Sequence, residues 1–263
     1  MVLIIGHRGA MGLEPENTPR SFRKAVELGA GMVEFDVRVC GSGDVVVMHD
    51  STVDRTTDGS GRVSEKTLGE LRCLDAGRGE RIPTLREALD LMRGRAGVNV
   101  ELKDDGSSAP VQEIVAGCVR EGVWSYDDII VSSFNHSELE NLRLLDGKIR
   151  TGVLFEEAGP FVEVALELDA HSLNLRSDLV SGKVIDEAHG NGLKVFAWVV
   201  NEPSVFERML SLGVDGVFTD FPGRFSCRGR VLHVSRSHRI SCRARGARPS
   251  GQACRAPEGA SLS

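Results

Sequence analysis

The chain has 263 residues, of which 41% are hydrophobic and 27% are charged, so it is long enough to bury the core of one large domain or two small ones. No apolar stretch approaches the roughly 20 residues of a membrane-spanning helix, and no signal-peptide pattern follows Met1, which argues against a membrane protein and predicts a cytoplasmic location. The six cysteines form no CxxC pair and have no histidine at zinc-ligand spacing, so neither a disulfide framework nor a structural zinc is indicated.

Short apolar, β-branched runs alternate along the chain with amphipathic helical segments, a pattern typical of a parallel sheet with helical connections. The predicted strands are residues 2–6, 32–37, 98–102, 129–133, 152–155, 172–175, 195–200 and 216–219. The predicted helices are residues 19–28, 85–93, 111–121, 137–145, 161–168, 179–189 and 204–212. Eight such strands favour a (β/α)8 TIM barrel over residues 1–225. An open doubly wound sheet is the alternative, but the first turn, GHRGAMG, lacks the GxGxxG pattern of that fold.

One segment interrupts the alternation after the second strand. The sequence RVCGSGDVVVMHD has two β-prone arms around residues 41–44, which predicts a hairpin whose second arm is antiparallel. If Cys40 pairs with Val45, then Asp36 lies opposite His49 and the two side chains share a face, with a slip of one or two residues in the register left open. Residues 51–80, which are rich in turn-forming residues, then form an inserted lobe.

The charges are unevenly distributed between the barrel and the segment that follows it. Residues 226–263 contain eight arginines and one acid, so residues 1–225 keep 24 basic and 37 acidic residues, a net charge of −13. A barrel of that charge repels nucleic acid, and we expect no nucleic-acid partner for it. The Arg-rich tail has almost no aromatic residues and is predicted to be disordered. Its composition is compatible with contact to RNA or to an acidic membrane, and equally with a dispensable extension.

Acidic residues occur within two of the predicted strands, at positions that share a face. Binding sites in TIM barrels lie at the carboxyl ends of the strands, which makes these positions candidates. In VEFDV, Glu34 and Asp36 project to one face, and in VELK, Glu101 and Lys103 do the same. Buried carboxylates are costly unless a cation compensates them, and an oxygen-rich ligand set favours Mg²⁺ or Ca²⁺ over zinc. The predicted metal ligands are therefore Glu34, Asp36 and Glu101.

The remaining polar residues at this end of the barrel fit the cleavage of a phosphodiester. His7 and Arg8 follow the first strand, and the predicted hairpin returns His49 to the same site. A metal ion, Arg8 and Lys103 would neutralise an anionic phosphate, while one imidazole accepts a proton and the other donates one. Each signal is weak alone, since a histidine in a GHRG turn is often structural and an ExD pair is often a solvated strand face. Their joint placement at strand ends is what indicates a catalytic site.

The sequence resembles the glycerophosphodiester phosphodiesterase family in six ordered motifs: GHRGAMGLEPENT, VEFDVRV, VVVMHDSTVDRTTDG, VELK, AWVVN and DGVFTDFP. The resemblance covers residues 3–223 and implies a TIM barrel that hydrolyses small-molecule glycerophosphodiesters to sn-glycerol 3-phosphate and an alcohol, with Ca²⁺ or Mg²⁺. It implies catalytic roles for His7 and His49, phosphate binding by Arg8 and Lys103, and metal binding by the three acids. The Arg-rich tail has no counterpart in the family.

The resemblance also bears on residues around the site. The lobe of residues 51–80 corresponds to the family's insertion, and Trp198 would line the mouth near the glycerol, although core packing explains it almost as well. We expect Arg55 to anchor the lobe within the protein, Asp220 to hold the last loop, and Asn17 to be a loop or cap residue. Glu16 has no clear assignment.

Two rival functions are compatible with the same motifs. A related barrel phosphodiesterase, acting on phosphoinositides or sphingomyelin by internal attack, would leave a cyclic phosphate. A noncatalytic module that binds phospholipid headgroups could keep the fold, but binding alone does not require both histidines together with all three acids.

Overall fold

The structure, a computed structural model, describes residues 2–225 together with the backbone of two short strands, β10 (His233–Val234) and β11 (Ile240–Ser241), which pair antiparallel. The other residues of the Arg-rich tail, on which the predicted disorder falls, lie outside the described residues. Among the helices that the structure describes, none is long and apolar enough to cross a membrane.

Eight parallel strands form a closed barrel, as predicted. Strand order around the barrel is β1-β9-β8-β7-β6-β5-β4-β2, and pairing of β1 with β2 closes it. The strands, with the short antiparallel β3 included, are β1 (Leu3–Gly6), β2 (Met32–Val39), β3 (Val45–Val47), β4 (Gly97–Leu102), β5 (Ile129–Ser133), β6 (Arg150–Phe155), β7 (Ser172–Arg176), β8 (Lys194–Trp198) and β9 (Gly216–Thr219). The predicted bounds of the eight barrel strands agree with these to within two residues; β8, for example, ends at Trp198 and not at residue 200.

Helices connect successive strands of the barrel on its outside, apart from Leu68–Cys73 in the inserted lobe and Pro222–Phe225 after the last strand. They are α1 (Pro19–Glu27), α2 (Leu68–Cys73), α3 (Leu85–Met92), α4 (Ser108–Arg120), α5 (His136–Leu145), α6 (Phe161–Glu167), α7 (Gly182–Gly190), α8 (Pro203–Leu212) and α9 (Pro222–Phe225). Local sequence explains several starts: the Thr18 side chain accepts a hydrogen bond from the backbone N–H of Ser21, and Pro19 occupies the first turn. In α3, Thr84 and Glu87 form a capping box. The short helices α2 and α9 were not predicted.

The hairpin between β2 and β3 exists, but its predicted register is wrong by one residue. Val37 pairs with Val47 and Val39 with Val45, so the residue facing Cys40 is Asp44 and not Val45. The reason is Gly43, whose φ of 86° allows a loop of three residues in place of the predicted four. The strand β3 also ends at Val47, before His49, which therefore does not pair with Asp36 in the ladder.

The inserted lobe has a small core of its own on the outer side of this hairpin. Its buried side chains include Val53, Val63 and Leu71 from the lobe, packed with Val46 and Met48 of the hairpin arm. The lobe is thus attached to the same segment that leads from β3 to His49.

Alternation along β2 places its acids inside the barrel and its apolar side chains against the helices. Phe35 packs against Phe22 of α1, with ring centroids 5.3 Å apart, and it belongs to the core between sheet and helices. Below the acids, an apolar layer that includes Ile5, Phe196 and Phe218 fills the barrel interior. The carboxylates therefore lie on a packed floor at the carboxyl ends of the strands.

Candidate active site

A cavity of about 370 Å³ opens at the carboxyl ends of the barrel strands. The site residues predicted from the sequence come together here, since all of them except the deeply buried Asp36 line the cavity wall: His7, Arg8, Glu34, His49, Glu101, Lys103 and Trp198. Asp36 joins the group through contacts with Arg8 and Lys103.

The three acids form a compact cluster beneath the cavity. Glu34, Asp36 and Glu101 each offer an oxygen within 4.8 Å of the others, and all three side chains are buried. Burial and the neighbouring charge of Asp36 raise the pKa of Glu34, and the same two causes raise that of Glu101. For Asp36, burial acts in the same direction, but Lys103 and Arg8 lower its pKa below the ordinary range.

The cluster fits a hard divalent cation. One oxygen of Glu34, Oε1, is buried and has no hydrogen-bond partner among the described residues, whereas Oε2 accepts a hydrogen bond from the backbone N–H of Arg8 at 2.7 Å. A buried carboxylate oxygen without a partner is costly, and a metal ligand position would satisfy it. The donor set is all oxygen, which suits Mg²⁺ or Ca²⁺.

The two predicted phosphate-binding cations lie against these acids. Arg8 Nε is 3.2 Å from Asp36 Oδ2, and Lys103 Nζ is 3.1 Å from Asp36 Oδ1 and also forms an ion pair with Glu101. Arg8 further donates to Glu16 Oε1 at 2.8 Å. Both cations are thus held at the edge of the cavity by the carboxylates that surround them.

The first loop has a tight conformation that sets the direction of Arg8. Arg8 has a φ of 48°, in the left-handed region, and Gly9 follows with a φ of 85°. A Cβ on Gly9 would lie 2.3 Å from Ser21 Oγ, which donates to the Arg8 carbonyl and accepts from the backbone N–H of Ala10, each at 2.8 Å. The glycine of the HRG motif is therefore required by a close contact between the loop and α1.

His7 is paired with a carboxylate from the last strand end. Its Nδ1 lies 2.7 Å from Asp220 Oδ1, and since an ionised carboxylate only accepts, Nδ1 carries the proton and Nε2 stays available. Burial lowers the pKa of His7, but the hydrogen bond with Asp220 and the charge of Glu34 outweigh it, so the pKa is raised. Asp220 also accepts from Asn201 Nδ2 at 2.6 Å.

His49 is paired with the adjacent Asp50, whose charge is shared with an arginine. His49 Nδ1 lies 2.6 Å from Asp50 Oδ1, and Arg55 donates to both oxygens of Asp50. Burial lowers the pKa of His49; Asp36 raises it, Lys103 lowers it again, and the net result is a lowered pKa. The two imidazoles are therefore shifted in opposite directions.

The far wall of the cavity is apolar and aromatic. Trp198, at the end of β8, is half-buried and donates from Nε1 to the carbonyl of Asn174 at 3.0 Å. The exposed ring of Phe134 meets it edge to face, with centroids 5.5 Å apart. Phe134 was not predicted from the sequence, although its position directly after β5 is the same signal that identified the other residues.

Several neighbours of the site have contacts that the sequence alone did not indicate. Asn17, expected to be a loop residue, is buried and donates to Asp36 Oδ2 at 2.9 Å. Glu16 joins Arg8 to Arg55, so Arg55 anchors the lobe within the protein, as predicted. Asp220 does hold the last loop through Asn201, and its contact with His7 is the part that was missed.

Comparisons with known proteins agree with this geometry. The model of the glycerophosphoryl diester phosphodiesterase family matches residues 7–224. A glycerophosphodiester phosphodiesterase of Caldanaerobacter subterraneus is 37% identical over 233 residues, which cover 84% of this chain and 94% of that protein. A phosphodiesterase of Oleispira antarctica, solved in complex with the product sn-glycerol-3-phosphate, superposes with a TM-score of 0.78 at 31% identity, covering 84% of this chain and 94% of that one.

Proposed function

Because the chain belongs to the glycerophosphoryl diester phosphodiesterase family, whose members are phosphoric diester hydrolases, we propose that it hydrolyses glycerophosphodiesters to sn-glycerol 3-phosphate and an alcohol. The observation that carries the proposal is the pairing of two oppositely shifted histidines with a buried cluster of three acids around one cavity. A small-molecule substrate is supported by the sn-glycerol-3-phosphate bound to the Oleispira antarctica relative. The cytoplasmic location and the absence of a nucleic-acid partner stay predictions from the sequence.

Glu34, Asp36 and Glu101 would hold the metal ion, Mg²⁺ or Ca²⁺. When bound, a divalent ion supplies a positive charge that stabilises negative charge on the phosphate oxygens. Arg8 and Lys103 would add two fixed positive charges at the same edge of the cavity, where their ion pairs with Asp36 already hold them in place. Trp198 and Phe134 would contact the carbon chain of the glycerol with their apolar surfaces.

We assign the general acid to His7 and the general base to His49. The Asp220 carboxylate, which is hydrogen-bonded to His7 and to the amide of Asn201, carries a negative charge that favours the imidazolium form of His7. For His49, burial and the charge of Lys103 favour the neutral imidazole against the charge of Asp36, and the carboxylate of Asp50 is shared with Arg55. His7, with its raised pKa, therefore holds the proton for the leaving alkoxide, and His49, with its lowered pKa, accepts one from the attacking water.

A coupled assay for released sn-glycerol 3-phosphate tests the proposal. Purified protein would be given glycerophosphocholine, glycerophosphoethanolamine and glycerophosphoglycerol, with Mg²⁺, with Ca²⁺ and with a chelator. We expect turnover with at least one ion and its loss in chelator. His7→Ala and His49→Ala should each lower turnover by a factor on the order of 100, whereas His189→Ala, outside the cavity, should not.

Phosphorus NMR of the products separates the rival reactions. If a cyclic phosphate accumulates and no sn-glycerol 3-phosphate is released, the reaction is internal attack and not hydrolysis. Binding of the diesters with no turnover under any metal condition would instead identify a noncatalytic module.

A further inference from the structure

His49 lies on a short segment outside the regular ladder of the sheet. The strand β3 ends at Val47, and the backbone N–H of Met48 donates to the Asp36 carbonyl at 3.0 Å. The backbone of His49 is contacted by a side chain: Arg38 Nε donates to the carbonyl oxygen of His49 at 2.9 Å. Asp50 contacts the imidazole ring of His49, whereas Arg38 contacts its backbone.

Arg38 is well placed to support the backbone of His49. It lies on β2, two residues after Asp36, and its guanidinium is mostly buried, with 14% of the side chain exposed. While Nε contacts His49, another guanidinium nitrogen forms an ion pair with Asp104 Oδ1. Asp104 Oδ2 in turn accepts from the backbone N–H of Val39 at 3.0 Å, which fixes the carboxylate to β2.

Asp104 belongs to the loop that follows β4 and carries Lys103. This loop is fastened to the neighbouring helix, because the carboxylate of Glu138 in α5 accepts from the backbone N–H groups of Gly106 and Ser108, each at 2.8 Å. The chain of contacts therefore runs from a fixed loop through Asp104 and Arg38 to the backbone of His49.

We propose that Arg38, held by Asp104, is a positioning residue that sets the backbone of His49 and through it the imidazole relative to the acids of the site. The inference rests on the proposed function, in which His49 is the general base. Arg38 itself does not line the cavity, and its planar fork presents separate nitrogens to the carbonyl and the carboxylate, a geometry that the single ammonium of a lysine does not reproduce.

The proposal predicts an effect on turnover with little effect on binding. A displacement of about 1 Å in a catalytic group can cost on the order of 100-fold in rate. We expect Arg38→Met to lower kcat for glycerophosphocholine by roughly 30-fold to 100-fold, with KM unchanged within about 2-fold. Arg38→Lys should lower kcat less than Arg38→Met does. The kcat of Asp104→Ala should lie between those of the two Arg38 variants.

A double-mutant cycle separates positioning from a general structural role. In a His49→Ala background, Arg38→Met should lower the residual rate by less than about 3-fold, since the group it positions is absent. Arg86→Met is the matched control: Arg86 makes ion pairs with Asp90 and Glu121 on the outer helices and should leave kcat unchanged. If Arg38→Met costs the same factor with and without His49, or costs nothing, the proposal is wrong.

A second readout does not depend on activity. The rate of diethylpyrocarbonate modification at His49, followed by mass spectrometry, should rise severalfold in Arg38→Met and in Asp104→Ala, while His189 reacts as in the wild type. An unchanged rate at His49 in both folded variants would overturn the proposal. If the wild-type protein releases no sn-glycerol 3-phosphate, the proposed function is wrong. The modification rate at His49 would then still test whether Arg38 positions this residue.

Discussion

The pairing of His7 with Asp220 makes a quantitative prediction about pH dependence. Asp220→Asn removes a negative charge 2.7 Å from His7 Nδ1 while keeping the shape of the side chain. A hydrogen bond to a charged group is worth about 1.5–3 kcal/mol, and one pKa unit corresponds to about 1.4 kcal/mol. The pKa of His7 should therefore fall by about 1–2 units.

The sign of this shift decides what happens to activity. In the native protein, Asp220 and Glu34 raise the pKa of His7 against the effect of burial, so the imidazolium persists to a higher pH than in an ordinary histidine. Without Asp220, burial and the charge of Arg8 prevail, and the acid form is lost at a lower pH. The alkaline limb of the pH–rate profile should move down by about 1–2 units, so that activity at pH 7.5 drops by roughly 10-fold to 100-fold and partly recovers near pH 6.

The assay is kcat/KM for glycerophosphocholine between pH 5 and 9 at saturating metal. Asp215→Asn is the matched control, because Asp215 contacts His189 Nε2 at 2.8 Å in a similar pair outside the cavity. Its profile should match that of the wild type. An alkaline limb in Asp220→Asn that stays within about 0.3 units of the wild type would show that His7 is not the group whose proton is required.

Three further predictions concern the proposed metal ligand Glu34, the first loop, and the hydrogen bonds of Glu138 to the start of α4. Glu34→Gln should raise the metal concentration for half-maximal activity at least about 10-fold, because the amide removes one charged ligand; an unchanged titration would exclude ligation. Gly9→Ala should lower the free energy of unfolding by about 2–4 kcal/mol through its clash with Ser21, measured by urea unfolding, whereas Gly190→Ala, with open space around it, should be nearly neutral. Glu138→Gln should cost about 2 kcal/mol at pH 7. The pKa of Glu138 is lowered by its backbone hydrogen bonds against burial, so its contribution is present above the unfolded pKa and lost as pH falls through the folded one. The difference in melting temperature should thus shrink below about pH 4, and a constant difference would contradict the charge-based explanation.

The parts of the fold that depend on local pattern were predictable from the sequence. The alternation in VEFDV determines that Glu34 and Asp36 share one face and that Phe35 takes the other, and both features are present in the structure. The strand ends of a closed parallel barrel all meet on one side, so that residues far apart in sequence, such as His7 and Lys103, could be assigned to one site.

The parts that depend on tertiary contacts were not predictable. The hairpin register depends on the left-handed conformation of Gly43, because a change of one residue in loop length changes which residues face each other. The partner of His7 could not be read from the sequence, because the neighbours of Asp220 are set by the pairing of β1 with β9. Similarly, no local pattern indicates that Arg38 reaches the carbonyl of His49.

The His7–Asp220 contact also determines when the site can be completed during synthesis of the chain. It joins residues 213 positions apart in the sequence: His7 directly follows β1, and Asp220 directly follows β9. Domains emerge from the ribosome with the N-terminal part first, so a nascent chain that lacks β9 holds His7 without its carboxylate. Such a fragment would carry the proposed metal ligands of β2 and β4 but not the His7–Asp220 pair, so the proposed general acid would be complete only after the last strand has joined the barrel.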